Sequence, residues 1–564
     1  MVAIVYGLLA FALILQLLSE VIGGLPVMQS TVASCLVLLV GFSRLRNTRL
    51  LARPIAFRLK PLLIAAGFSV IWVFFLTQPD EALLRLLGYG YDNAAHFMQG
   101  RILMLSGGSQ YLSIDHSLGP SFLQTVSQAP SSLWVLLDLV AGGEHLGLSS
   151  NLSTFAATTA SIPLLTLVVV ATCAGGIRSA IASGVFVLFG SLLFLTGYLS
   201  RVWFSGYLGS NLGTLCLICL TCLIAATNGL NLSHAIYGLV ITVHFYPVFL
   251  ILALALVVPL FAGALKSAHK VRWDSLVSKK LTITGLFVVT AITSLVFPFI
   301  ATRRGYGASH FLVDGGIEPF PSYLLISYVA LAVVASVVFR KYSPTKWMFA
   351  TPFAILTVAG GVAAYSYFHI NKLSYYPIKV LIAAAMIICA WSMIVSARLS
   401  RESRSRSLSL LVALLVVGFS SMANRGTIFT TGYMGTAPVA INWFVKGKVI
   451  VVDSRNILLL ADVSKRFNKP ILYLSSEFDS ELNTRWINSL SRQWTDNTWS
   501  SWMAVRQAIT LQSVADNSLS DYRTPIVVTS DDSTIDQLRL RYRGSVCLLQ
   551  DLVACESSLD GSDK

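Results

Sequence analysis

Over its first 422 residues the chain alternates long apolar runs with short polar links. A helix needs roughly 20 apolar residues to cross the hydrocarbon core of a bilayer, so each run reads as a membrane span. The runs fall near 1–19, 26–43, 61–78, 151–174, 179–198, 212–227, 235–247, 248–265, 281–300, 322–339, 347–368, 380–397 and 407–422. The stretch from Ala235 to Leu265 is too long for one crossing and carries Pro247 near its middle. Proline removes a backbone donor and kinks a helix, so this stretch is predicted as two short helices broken near His244-Phe245-Tyr246-Pro247. The expected fold is mainly α: a polytopic transmembrane bundle of about thirteen spans over 1–422.

Two regions depart from this pattern. The link from about 79 to 150 is far longer than an ordinary helix connection. It holds two helical stretches of its own, "AAHFMQGRILML" and "SSLWVLLDLVAG", separated by Gly/Ser-rich turns with Pro120 and Pro130, and is expected to lie along the bilayer surface. Residues 423–564 change character altogether. Short runs rich in β-branched residues, "KVIVVDS", "PILYLSS", "PIVVTSD" and "SVCLLQD", alternate with the helical patterns "RNILLLADVSKRF" and "DSTIDQLRLRYR". That alternation predicts a small α/β domain with a largely parallel sheet. The first of these runs continues "VVDSRNILLLA", without the G-x-G-x-x-G turn of a dinucleotide site.

Composition agrees with a membrane protein: 55% of residues are hydrophobic and 12% charged. The N-terminal run lacks the basic start and small-residue cleavage site of a removable signal, and reads as a retained first span. Charge then orients the bundle. Residues 1–422 hold 26 Lys+Arg against 11 Asp+Glu, whereas 423–564 hold 15 of each. The excess of +15 therefore belongs to the membrane part, which argues against nucleic acid as its cause. Its basic residues concentrate in alternate links, around 44–60, 266–280, 340–346 and 398–406. By the positive-inside rule these links are cytoplasmic. The N-terminus is then inside, and the 79–150 link and the 423–564 domain lie outside at a plasma membrane. Cys547 and Cys555 fall in that oxidising exterior, where a disulfide between them is compatible with the compartment. Cys216, Cys219 and Cys222 have redox or metal spacing but sit in an apolar helix without nearby His or acid, and read as packing.

Candidate chemistry gathers in three exterior segments. In "GYGYDNAAHF", residues 88–97, Asp92 lies among Tyr89, Tyr91, His96 and Phe97, surroundings able to tune a carboxylate as a general base. On a helix starting there, His96 shares its face at i+4; Asp92 as an N-cap is the alternative. Asp115, further along the same link, is the reserve acid. In "TRRGYGASHFLVDGG", Arg303 and Arg304 offer a guanidinium pair suited to phosphate, or a basic hinge at lipid headgroups. In "HINKLSYYPIK", Lys372 and Lys379 with Tyr375 and Tyr376 suit a lipid-linked phosphate at the headgroup level, or lysines that snorkel from a helix. No P-loop, H-E-x-x-H or G-x-S-x-G occurs.

With Asp92 in the first long exterior loop, many spans, exterior cations near helix ends and an exported C-terminal domain, the layout resembles the GT-C fold membrane glycosyltransferases. The resemblance implies a sugar donor on polyprenyl phosphate, an envelope glycan or lipid acceptor, and an acidic residue in the first external loop as base or metal ligand. Many members pair two acids there, whereas Asn93 follows Asp92. No cofactor is expected; a divalent metal lacks the paired acid, and a metal-free base needs one carboxylate. The implied reaction is an inverting transfer with Asp92 as base, His96 orienting it or touching the acceptor, and the basic residues holding the phosphate. A lipid-linked saccharide flippase or other transporter, and a non-catalytic envelope assembly protein, are the other readings.

Overall fold

In the computed structural model, the described residues are 59–88, 91–106, 129–141, 151–173, 206–226, 232–267, 350–399, 452–475, 480–493, 526–541 and 545–555, with single positions near the N-terminus and at 329, 333 and 478. They are mostly helical. In chain order the helices are α1 (Leu59–Leu76), α2 (Asp80–Leu87), α3 (Tyr91–Ser106), α4 (Ala129–Ala141), α5 (Leu152–Cys173), α6 (Leu208–Ala226), α7 (Leu232–Phe245), α8 (Leu250–Ser267), α9 (Thr351–Ile370) and α10 (Tyr375–Leu399). There follow α11 (Ser454–Phe467), β1 (Ile471–Leu474), α12 (Ser480–Ser491), β2 (Ile526–Thr529), α13 (Asp532–Arg541) and β3 (Val546–Leu548).

The chain divides into two compact units. A helical unit comprises Met1–Leu13, Ala160–Trp203 and Gly209–Pro438; an α/β unit comprises Ile14–Thr159, Phe204–Leu208 and Val439–Lys564. The second unit thus unites the long link with the C-terminal segment.

Within the helical unit, the described parts of the predicted spans are helical. The run at 235–265 breaks where proline demands it: α7 ends at Phe245, Tyr246 is extended, and Pro247–Phe249 form a 3-10 turn before α8. Threonine hydroxyls in these apolar helices donate to the carbonyl one turn back, as Thr166 does to Ile162, Thr221 to Leu217 and Thr242 to Gly238. Such bonds satisfy a hydroxyl where no water is at hand. Two described helical segments, Leu152–Val170 and Thr351–Ile370, are long and apolar enough to cross a membrane. Predicted spans at 26–43, 179–198, 281–300 and 407–422, and nearly all of 322–339, lie outside the described residues.

The α/β unit carries a three-stranded parallel sheet in the order β1-β2-β3, with Ile471 opposite Ile526 and Val527 opposite Val546. Leu472, Val527, Ile535, Leu538, Val546 and Leu548 form the core between sheet and α13. The far edge of β1 is closed by side chains of α12. Ile471 N–H donates to Asn488 Oδ1 (3.0 Å), Asn488 Nδ2 donates to Ile471 O (2.8 Å), and Tyr473 N–H donates to Thr484 Oγ1 (3.0 Å). An edge strand left open would template pairing with another chain; here a helix completes its ladder instead. Cys547 of β3 is joined to Cys555 by a disulfide. The three later strands match the pattern read from the sequence; residues 448–451 of the first fall outside the described residues.

Candidate functional site

The "GYGYDNAAHF" segment joins two helices of the α/β unit. Helix α2 starts after Pro79 with Asp80 and Glu81 in its first turn and ends with Arg85 in its last, each sign matching the helix dipole. Gly88 ends it, and a Cβ there would lie 2.3 Å from Val452 Cγ2. Only glycine lets this turn approach the chain that enters α11. Asn93, fully buried, donates from Nδ2 to Leu87 O at 2.7 Å. It thereby satisfies a terminal carbonyl of α2, which needs a donor. An ionised aspartate could not supply one, so the residue that breaks the paired-acid pattern has a structural reason to be an amide.

Asp92 is half-buried in the first turn of α3, which begins at Tyr91. It lies inside the helix rather than at its N-cap, and its charge complements the dipole from there. Gly206, at φ +88°, covers the backbone of this turn: a Cβ would come within 2.5 Å of Asn93 N and 3.0 Å of Asp92 C. Left-handed backbone and contact this close both require glycine. His96, also half-buried, shares the Asp92 face at i+4, and its carbonyl accepts from Ser131 Oγ of α4 at 3.3 Å.

The opposite face of α3 explains how this turn is held. Phe97 stacks on Trp134 of α4 (5.7 Å between centroids, 8°) and meets Phe155 and Trp486 at 5.8 Å each. Arg101 Nη1 donates to Ser489 O (3.1 Å) and Leu490 O (2.7 Å) in the last turn of α12, whose orphan carbonyls it satisfies. Ser489 Oγ donates to Ala94 O at 3.2 Å. The stretch expected along the bilayer surface is therefore covered by α4, α5 and the C-terminal α12.

Sequence reasoning missed a second polar cluster beside it. Asp453 caps α11, accepting from Asn456 N (3.3 Å) and Asn456 Nδ2 (2.6 Å). Tyr473 Oη donates to Asp453 Oδ2 at 3.3 Å. Burial raises the pKa of Tyr473 above its ordinary value, and the neighbouring Asp453 charge adds to the shift. Arg85 Nε donates to Ser454 Oγ at 3.3 Å. The signal was present in "VVDSRN", which holds Asp453 and Asn456 just before a helix, but Tyr473 and Arg85 come from other segments.

The third predicted segment belongs to the helical unit. Lys372 is exposed in the turn after α9, where Asn371 takes φ 53°; its carbonyl accepts from Ser366 Oγ at 2.9 Å. Lys379 is buried at 4% exposure. It donates to Tyr375 Oη and lies over the rings of Tyr375 (3.8 Å) and Tyr246 (5.5 Å), the latter at the break between α7 and α8. Tyr375 and Tyr376 meet edge to face at 5.2 Å. The structure thus brings Tyr375 and Lys379 together and adds Tyr246, which the sequence reading did not include. Asp115, Arg303 and Arg304 lie outside the described residues. Among the described residues no group of three His, Cys, Asp or Glu could hold a metal ion. No family model, curated protein or solved structure matches this chain.

Proposed function

We propose that the chain is a polytopic membrane glycosyltransferase that moves a sugar from polyprenyl phosphate to an envelope glycan or lipid acceptor on the exterior face. The observation that carries this reading is Asp92: a half-buried carboxylate in a helix turn fixed by Gly206, Asn93 and the aromatic packing of Phe97. A general base must be held in place to act, and this turn is held from several sides.

The proposed topology has about thirteen spans, N-terminus in and C-terminus out. It is supported by the charge of the links and by the single compact unit that contains both the 79–150 helices and the C-terminal sheet. Segments that fold together share one side of a membrane, so the chain between them crosses an even number of times. The spans read from the sequence between 151 and 422 number ten. The Cys547–Cys555 disulfide favours the oxidising side.

In the reaction, the acceptor hydroxyl attacks the anomeric carbon while Asp92 takes its proton. The bond from that carbon to the phosphate oxygen breaks, and its electron pair leaves with the lipid phosphate. Such a reaction needs cations to offset the charge gathering there, and the Arg303–Arg304 and Lys372–Lys379 segments are the basic candidates in the sequence. Exposed Lys372 is better placed for a headgroup than Lys379, which is buried against Tyr375. His96 would orient Asp92 or the acceptor.

One observation favours a second reading, a lipid-linked saccharide transporter: the helix break at Tyr246–Pro247 beside buried Lys379. Broken helices and intramembrane charges line substrate paths in transporters. The deciding experiment follows transfer from a panel of polyprenyl-phosphate sugars by protein in nanodiscs. Turnover by wild type, lost in Asp92→Asn at equal expression, is the expected result; retained turnover in the variant refutes the assignment, and donor binding without consumption favours transport.

A further inference from the structure

Helix α10 carries a charge where its pattern asks for none. Ile378, Val380, Leu381 and Ile382 around Lys379 are apolar and buried, and Lys379 is buried with them. A lysine in an apolar bundle costs free energy that an apolar residue of like volume would not, so what it touches is informative.

Its contacts tie α10 to the break between α7 and α8. The ammonium donates to Tyr375 Oη and lies over the Tyr375 ring at 3.8 Å, within its own helix. It also lies over the ring of Tyr246 at 5.5 Å. Tyr246 is the extended residue before the 3-10 turn Pro247–Phe249, with φ −156° and ψ 95°. The backbone there is thinly bonded. Tyr246 N–H donates to Thr242 O at 2.8 Å and Phe249 N–H to Tyr246 O at 3.0 Å, while Pro247 has no N–H to give.

Two different kinds of contact hold this break. Helix α6 holds it by shape: a Cβ on Gly213 would come within 2.8 Å of Tyr246 Cβ and 2.9 Å of Phe249 Cδ2. Helix α10 holds it by the attraction of a cation for a ring face. Gly213 can part from the break only if backbone moves, whereas a lysine leaves a ring by turning its own side chain. Tyr246, Pro247 and Val248 are half-buried rather than encased, which leaves the break room to move.

We propose that Lys379 is a latch on a hinge: its ammonium on the Tyr246 ring holds the α7–α8 break closed, and its release lets α8 reorient against α7. A few residues outside regular helix can absorb the change in φ and ψ that such a movement needs, and broken helices form the moving parts of many membrane proteins. Tyr375 is a positioning residue that keeps the ammonium in place. The latch rests on neither the transferase nor the transporter reading.

The test follows backbone amide exchange by mass spectrometry, with the full chain in nanodiscs, for wild type, Lys379→Met, Lys379→Arg and Tyr246→Leu. Methionine keeps the bulk and removes the charge, so the melting temperature should hold. An open break admits water, and exchange over residues 242–250 should quicken at least about tenfold in Lys379→Met, while α6 and α9 keep wild-type rates. Lys379→Arg, which keeps the cation, should exchange as wild type does. Tyr246→Leu should match Lys379→Met, and supplies the same reading if the methionine variant does not fold. Wild-type exchange over 242–250 in Tyr246→Leu or Lys379→Met, faster exchange throughout the helical unit, or an equal loss in Lys379→Arg would each overturn the inference.

Discussion

Helices α3 and α9 have opposite relations between sequence and surroundings. The sequence of α3, "YDNAAHFMQGRILMLS", is mixed in polarity, yet Ala94, Phe97, Met98, Ile102 and Leu103 are all buried by neighbouring helices. The sequence of α9, "TPFAILTVAGGVAAYSYFHI", is nearly all apolar, yet only 17% of its apolar window is buried. Phe368 is 83% exposed and Tyr367 57%. In water such a face would be a liability; against acyl chains it costs nothing. Hydrophobicity along the chain and burial in the fold are therefore separate properties of a helix: the first belongs to its own residues, the second to what the fold puts beside it.

The comparison can be broken most severely at α3. Trp486→Ala would empty the space between α12 and Phe97, at a cost of about 3–5 kcal/mol typical of large core truncations. Loss of cooperative unfolding of the α/β unit, followed by near-ultraviolet circular dichroism, is the expected outcome; an unchanged transition would mean that α12 does not support α3. A smaller effect is expected from Asn93→Asp, which removes the donor to Leu87 O and buries a carboxylate beside a carbonyl. Destabilisation of about 1–3 kcal/mol, the cost of an unmet buried polar group, should lower the melting temperature at neutral pH. A variant as stable as wild type would show that the amide is not needed there.

The smallest effect sharpens the other side. Phe368→Ser on α9 should leave the unfolding free energy in detergent within about 0.5 kcal/mol of wild type, as for surface positions generally. Phe368→Trp should in turn be quenched by brominated lipids in nanodiscs. Strong destabilisation by the serine, or no quenching of the tryptophan, would place this face against protein rather than lipid.

Much of this was legible in the pattern. Helices at α3 and α4, the parallel strands β1 to β3, and the break at Pro247 all follow from local rules of period, β-branching and proline geometry. The Asp92 turn was legible as an acid among aromatics, but its support was not. Trp486 lies hundreds of residues from Phe97 in sequence, and nothing local to "SELNTRWINSLS" distinguishes the face that meets α3 from the one that closes β1. Lys379 shows the same limit. At the start of an apolar helix it reads as a ligand for a lipid-linked phosphate or as a snorkelling lysine, and only the arrival of Tyr246 from the α7–α8 break shows it buried.

The sequence by itself determined the apolar character of the first 422 residues, the sign of their links and the α/β alternation of the remainder, because these depend on transfer free energies and neighbouring residues. Tertiary structure decided that the long link and the C-terminal segment make one unit, that Asn93 is a cap for α2, and that Asp453 stands beside the turn leading to Asp92. Those are contacts between residues far apart in the chain, and side-chain packing, unlike periodicity, leaves no mark on either partner's own stretch.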